Sequence, residues 1–132
     1  MTPSRKFLRL LPILLAIAAG GCATKVAVDS PASNVATYNW GTLKGDLKGD
    51  LTSTFHATNR ALDALGYFRV GQEVSKNEIE VIARGVKDIK VTVTLTPSKI
   101  DGATTTAIEV DDGNLPKSQE IFAAINKQLG GS

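Results

Sequence analysis

Between residues 89 and 96 the chain alternates without a break: Ile89, Val91, Val93 and Leu95 are apolar, while Lys90, Thr92, Thr94 and Thr96 are polar. A side-chain period of two belongs to a β-strand with one buried and one wet face. A strand of this kind cannot stand alone, so the chain must build a sheet and cover one side of it. The flanking segments repeat the pattern. Residues 78–84 carry Ile79, Val81 and Ala83 on one side, residues 104–110 carry Thr106, Ile108 and Val110, and residues 67–74 carry Phe68 and Val70. Turn-forming residues separate them at Ser75-Lys76-Asn77, at 85–88 and at Asp101-Gly102, the last a hairpin signal because both residues tolerate positive φ.

Upstream, Leu43, Gly45, Leu47 and Gly49 alternate with Lys44, Asp46, Lys48 and Asp50. The duplicated Leu-Lys-Gly-Asp keeps this period because four is a multiple of two, so it reads as strand chemistry, and the embedded Lys-Gly-Asp is a chance match to an adhesion motif. The period then changes. Leu51, Phe55, Thr58, Leu62 and Leu65 step by four and three, which is one stripe of an α-helix, with Asp50 as N-cap and Gly66 as the left-handed residue that ends it. A second helix follows Asn114 and Pro116, with Leu115, Ser118, Ile121, Phe122, Ile125 and Leu129 on its apolar side. The expected fold is α+β in two layers, an antiparallel-rich sheet of about five strands with two helices on one face, in the order β-α-β-β-β-β-α.

The first residues follow different rules. Arg5, Lys6 and Arg9 precede an apolar run from Leu10 to Ala18, which tapers through Ala19, Gly20 and Gly21 to Cys22, the only cysteine. A basic start, a short apolar run and small residues make an export signal. The run is too short for a membrane span of about 20 residues. The ending Ala19-Gly20-Gly21-Cys22 resembles the lipobox of bacterial lipoproteins, although Ala19 stands where Leu is usual. The resemblance implies cleavage between Gly21 and Cys22, a diacylglycerol on the thiol and an N-acyl chain, palmitate being typical. Two or three chains make anchoring effectively permanent. Ala23 and Thr24 follow in place of the Asp that often retains such proteins in the inner membrane, so the inner leaflet of the outer membrane, facing the periplasm, is the expected site, with the inner membrane as the alternative.

Removing residues 1–21 takes away three of the 15 basic side chains and none of the 13 acidic ones, so the mature chain carries no basic field for nucleic acid. Residues 22–37 are small, polar and without sustained period, and are expected to form a flexible tether with a reach of roughly 20 Å. Residues 38–132 then form one domain.

The pattern Gly41-x-Leu43, Leu47, Leu51, then Ala61-Leu62-x-x-Leu65-Gly66-Tyr67, and the apolar alternations at 79–83 and 91–95, resembles the small bacterial lipoproteins grouped as the DUF3568 family. The resemblance spans residues 38–130 and the cysteine motif. Near the last helix, where relatives often carry Gly-Asp-x-x-x-Ser, this chain has Asp112-Gly113-Asn114-Leu115-Pro116-Lys117-Ser118. The family has no assigned activity, so the resemblance implies the fold and the anchor and no catalytic residue.

Residues that could carry chemistry are correspondingly sparse. His56 is the only histidine and shares the polar side of its helix with Asn59, Arg60 and Asp63, a surface position without the partners a metal needs. No Gly-x-Ser-x-Gly elbow or Walker loop is present, and Asp111-Asp112-Gly113-Asn114 lacks the ligand spacing of an EF-hand and reads as a turn and cap. Neither an enzyme nor a cofactor is expected. The candidate interaction surface is Thr92, Thr94 and Thr96 with Thr105 and Ile82 on the uncovered sheet face, and Tyr38 and Trp40 just before the first strand, where core or lid packing is the first reading and a partner anchor the second. A domain this small has little volume for a deep pocket. The expectation is therefore a membrane-anchored, non-catalytic binding or structural accessory of the envelope, with an envelope protein as partner. A carrier of small apolar ligands is the alternative, and a hydrolase relying on His56 comes last.

Overall fold

The computed structural model describes residues 23–28 and 35–130. The signal segment, Gly21 and Cys22 lie outside the described residues. The described strands are β1 (Thr24–Ala27), β2 (Val35–Asn39), β3 (Thr42–Lys48), β4 (Phe68–Ser75), β5 (Glu78–Arg84), β6 (Lys90–Ile100) and β7 (Ala103–Asp111). The helices are α1 (Leu51–Ala64), between β3 and β4, and α2 (Leu115–Gly130), after β7. All pairings are antiparallel, in the spatial order β1-β2-β3-β7-β6-β5-β4. The chain thus leaves β3 in the middle, crosses the sheet as α1, enters at the far edge as β4, and returns strand by strand until β7 closes against β3.

The α+β class, the two helices and the antiparallel sheet agree with the sequence reading, but the sheet has seven strands rather than five. The two additional strands, β1 and most of β2, fall in the segment expected to be a tether. Thr24 pairs with Tyr38 and Ala27 with Val35, and β2 continues into β3 through a two-residue turn. Their side chains are small, but Ala36 is buried, and Val26 and Tyr38 pack against the core. Backbone pairing to an existing sheet supplies the stability that four or five residues lack alone.

The core lies between the helices and the sheet face that bears Leu43, Leu47, Val81, Val91, Val93, Leu95, Ile108 and Val110, all buried. The Phe122 ring of α2 occupies the place where a side chain at position 45 would point: a Cβ on Gly45 would stand 2.7 Å from Phe122 Cε2. On α1 the buried residues are Thr54, Ala57, Thr58, Ala61 and Leu62. The expected stripe is therefore rotated, with Leu51, Phe55 and Leu65 at its half-buried margin. Small residues let α1 approach closely. Thr54 Oγ1 donates to the Asp50 carbonyl at 2.8 Å and lies 3.1 Å from Thr106 Oγ1, which donates to the Gly49 carbonyl at 3.0 Å. These hydroxyls satisfy one another inside the core, as buried polar groups must.

The ends of α1 match the sequence reading. Asp50 accepts from the Ser53 amide at 2.8 Å. At the other end Gly66 has φ +86°, its amide donates to the Asp63 carbonyl at 3.1 Å, and the Tyr67 amide reaches the Leu62 carbonyl at 2.9 Å, the paired bonds of a Schellman cap. Likewise Asn114 caps α2, accepting from the Lys117 amide at 3.0 Å.

Candidate interaction surfaces

The face of the sheet opposite the helices carries Thr92, Thr94 and Thr96 from β6, as the alternation requires. Thr92 and Thr94 are half-buried and Thr96 is exposed. Cross-strand pairing sets Thr94 between Glu80 and Glu109, and Lys44 closes on Glu109 at 2.8 Å. Further up, Ser98 Oγ and Thr105 Oγ1 are 2.6 Å apart, and Ser98 donates to Asp46 at 3.1 Å. Ile82 is half-buried within this polar surface. Lys44 with Glu109, and Ser98 with Thr105 and Asp46, bond across the strands, which is how a solvated β-face holds together.

Tyr38 and Trp40 do not share a surface. Tyr38 pairs with the buried Leu43, so its ring lies on the helix side and packs against the core, as expected. Trp40 departs from the packing expected of it: it is 83% exposed. Trp40 and Gly41 are the two central residues of the β2–β3 turn, both at positive φ (+52° and +84°), the pattern of a type I′ hairpin turn. A tight turn points its first central side chain away from the sheet, so the ring has no core to enter. The site residues named from the sequence therefore divide among three places: the helix side for Tyr38, a turn tip for Trp40 and the open face for the threonines.

The surface that sequence reasoning missed is β4. Phe68 and Val70 were expected to share one face of a strand, and every residue of β4 is exposed. Phe68, Val70 and Val74 are 77%, 58% and 65% exposed. The reason is position: β4 ends the sheet, and the register with β5 shifts between Arg69 and Gly71, a bulge of the kind found at sheet edges. Asp63 of α1 reaches β4 by a two-pronged pair with Arg69, at 3.0 and 3.1 Å. No strand follows β4 among the described residues, so its outer row of amides and carbonyls has no sheet partner there.

Two clefts lie away from β4 on the described surface. One, of about 170 Å³, lies beside Tyr67, Val86 and Ile89, with Lys117 and Glu120 across it. Burial, and then the Asp112 and Glu120 carboxylates, push the Tyr67 phenol above its ordinary value of 10.0. Its volume is below the roughly 300 Å³ at which small-molecule pockets begin. The other is an open groove of about 420 Å³ lined by Lys48, Gly49, Ser53, His56, Arg60 and Leu129, where the end of β3 meets the two helices. His56 is exposed, with its ring 5.5 Å from that of Phe55. Among the described residues no three His, Cys, Asp or Glu side chains gather to hold a metal. Asp112 completes a local turn, accepting from the Asn114 amide at 2.9 Å and from the Ser118 hydroxyl.

Residues 6–128 match the family described as "Protein of unknown function (DUF3568)". The chain belongs to the DUF3568 family. No curated protein matches this DUF3568 chain. Family membership agrees with the resemblance read from the leucine and glycine pattern, and carries no activity with it. Among the described residues no helix of the DUF3568 chain is long and apolar enough to cross a membrane.

Proposed function

We propose that this DUF3568 chain is a lipid-anchored protein of the bacterial envelope, facing the periplasm, that acts without catalysis by binding another envelope protein along the β4 edge of its sheet. The observation that carries the binding role is β4, an eight-residue edge strand with Val70 and Val74 exposed. β4 also carries Arg69, Gln72, Glu73 and a bulge, but Val70 and Val74 stand exposed beside its outer backbone, unpaired among the described residues, and strand addition is the direct way to cover them. An extended partner segment would take up the outer hydrogen bonds of β4 and lay its side chains on the two valines. The anchor is supported by the basic and apolar residues that precede Cys22, and the family match starts at residue 6, so it takes in most of that segment. Ala23 and Thr24 after the cysteine favour the outer membrane.

The test is in-cell crosslinking of tagged full-length protein, followed by detergent extraction and mass spectrometry, with Cys22→Ser and the edge variant Val70→Lys/Val74→Lys in parallel. Envelope proteins recovered with wild type and lost with both variants are the expected result. Equal recovery with the edge variant would exclude β4 as the docking site. A mature protein without acyl mass at Cys22 would exclude the anchor.

A further inference from the structure

One end of the domain collects features that its opposite end lacks. The β2–β3 turn with Trp40, the loop between β5 and β6 with Val86, and the start of β4 with Phe68 all lie there, because β3, β4 and β6 run in one direction and β2, β5 and β7 in the other. These three residues are 83%, 79% and 77% exposed, the most exposed large apolar side chains among the described residues. From β3 to β4 the sheet spans four strand spacings, about 19 Å at ~4.8 Å each, so the three side chains are spread along this end of the sheet.

The backbone at this end is held in unusual conformations. Trp40, Lys87 and Asp88 have φ of +52°, +63° and +60°, and they are three of the four described non-glycine residues at positive φ. The fourth, Asp101, sits with Gly102 in a turn of the same pattern at the opposite end, where the residues are the ordinary ones for it. A bulky aromatic in that position is disfavoured. Its presence at an exposed tip points to use rather than to folding.

The chain also enters the domain here. Thr24 pairs with Tyr38, two residues before Trp40, and Ala23 precedes it. Covalent geometry keeps the Cα of Cys22 within about 3.8 Å of that of Ala23 in any conformation with a trans peptide. With β1 in the place of a tether, an acylated Cys22 would leave no slack between bilayer and domain. This step depends on the anchor proposed above.

We propose that this end is a membrane-docking tip, in which Trp40, flanked by Val86 and Phe68, seats at the headgroup level of the same bilayer that holds the acyl chains of Cys22. Tryptophan favours that depth because its ring is apolar and its indole N–H still reaches water and headgroups. Lys87 and Lys90 on the adjoining loop and strand are exposed beside it, Asp88 is held to Arg84 at 3.4 Å, and Asp111 and Asp112 follow at the β7 end on the same side, where Asp112 accepts from the Asn114 amide and the Ser118 hydroxyl, so the tip carries charges of both signs. The sheet would stand on the membrane with its strands steeply inclined to it, presenting the Ser75 end of the β4 edge towards the periplasm.

Trp40 is the only tryptophan in the chain, so its own fluorescence reports on the tip. The full-length protein is expressed in bacteria, recovered from the membrane fraction, checked by intact mass for acylation, and reconstituted into phosphatidylcholine vesicles with and without bromine-labelled acyl chains. The expected result is blue-shifted emission, quenching by the brominated lipid and protection from acrylamide. Val86→Asp and Phe68→Asp should each reduce the quenching while leaving the circular dichroism unchanged. Acylated, vesicle-bound protein whose Trp40 stays red-shifted and open to acrylamide would overturn the tip and leave the anchor intact. If Trp40 were then shielded only in native membranes, the tip would be a protein-docking site instead. Protein without acyl mass would remove the anchor, and the same vesicles would then decide the tip alone, by quenching or its absence.

Discussion

At the scale of single residues, two positions show how small choices set this fold. Gly45 is flanked by the buried Leu43 and Leu47, and it is glycine because α2 lays Phe122 on it, with Ala36 alongside at 3.3 Å from the same point. Gly45→Ala should destabilise the protein by about 1 to 3 kcal/mol, since the ring is buried and has nowhere to move. Urea denaturation of that variant, alone and combined with Phe122→Leu, checks this, and additive losses would show that the two sites do not meet. Trp40 is the converse case, a residue that its backbone disfavours. Trp40→Asn, which suits positive φ, should raise stability by roughly 1 kcal/mol, measured by circular dichroism in urea. A clear loss would mean that the indole contributes to the fold, contrary to its exposure.

At the scale of elements, α1 is where local chemistry is most easily tested. Hydrogen bonds from the Ser53 side chain, and then from its amide, hold the Asp50 carboxyl below its ordinary 3.8. A lowered carboxyl stabilises the folded state fully above the unfolded value, and this contribution is lost as pH falls through the folded one. Wild type should therefore lose more stability than Asp50→Asn between about pH 5 and pH 2, and parallel curves for the two proteins would rule out the cap as the cause. The legibility of elements follows the same physics. β5, β6 and β7 were readable because each alternates long enough to declare a buried side, and both helices because caps and stripes agree. β1 and β2 were not, since Thr24–Ala27 and Val35–Asn39 hold mostly small or polar residues whose stability comes from pairing. β4 was recognised as a strand, but no property of Phe68 or Val70 reveals that the sheet ends there. Of the candidate surface, the position of the threonines on the open face was legible from period two, whereas the exposure of Trp40 depends on a turn whose residues are not the usual ones for it.

At the scale of the whole molecule, the order of strands in space governs the order in which they can form. β4, β5, β6 and β7 are consecutive hairpins and need only local closure, while β3 pairs with β7, setting Leu43 opposite Val110 across almost the entire domain. Long-range pairing of this kind is slow because the loop must close before its contacts can stabilise it. The hairpins of the meander should therefore be the folding nucleus, with β3, and β2 and β1 behind it, docking late. Val93→Ala should slow folding, and Leu43→Ala should mainly speed unfolding, in stopped-flow chevrons. The opposite partition would place the nucleus at the β2–β3 hairpin. It follows that the strands synthesised first wait, unpaired on one side, for the strand synthesised last, and a chain stopped short of β7 would strand its own beginning.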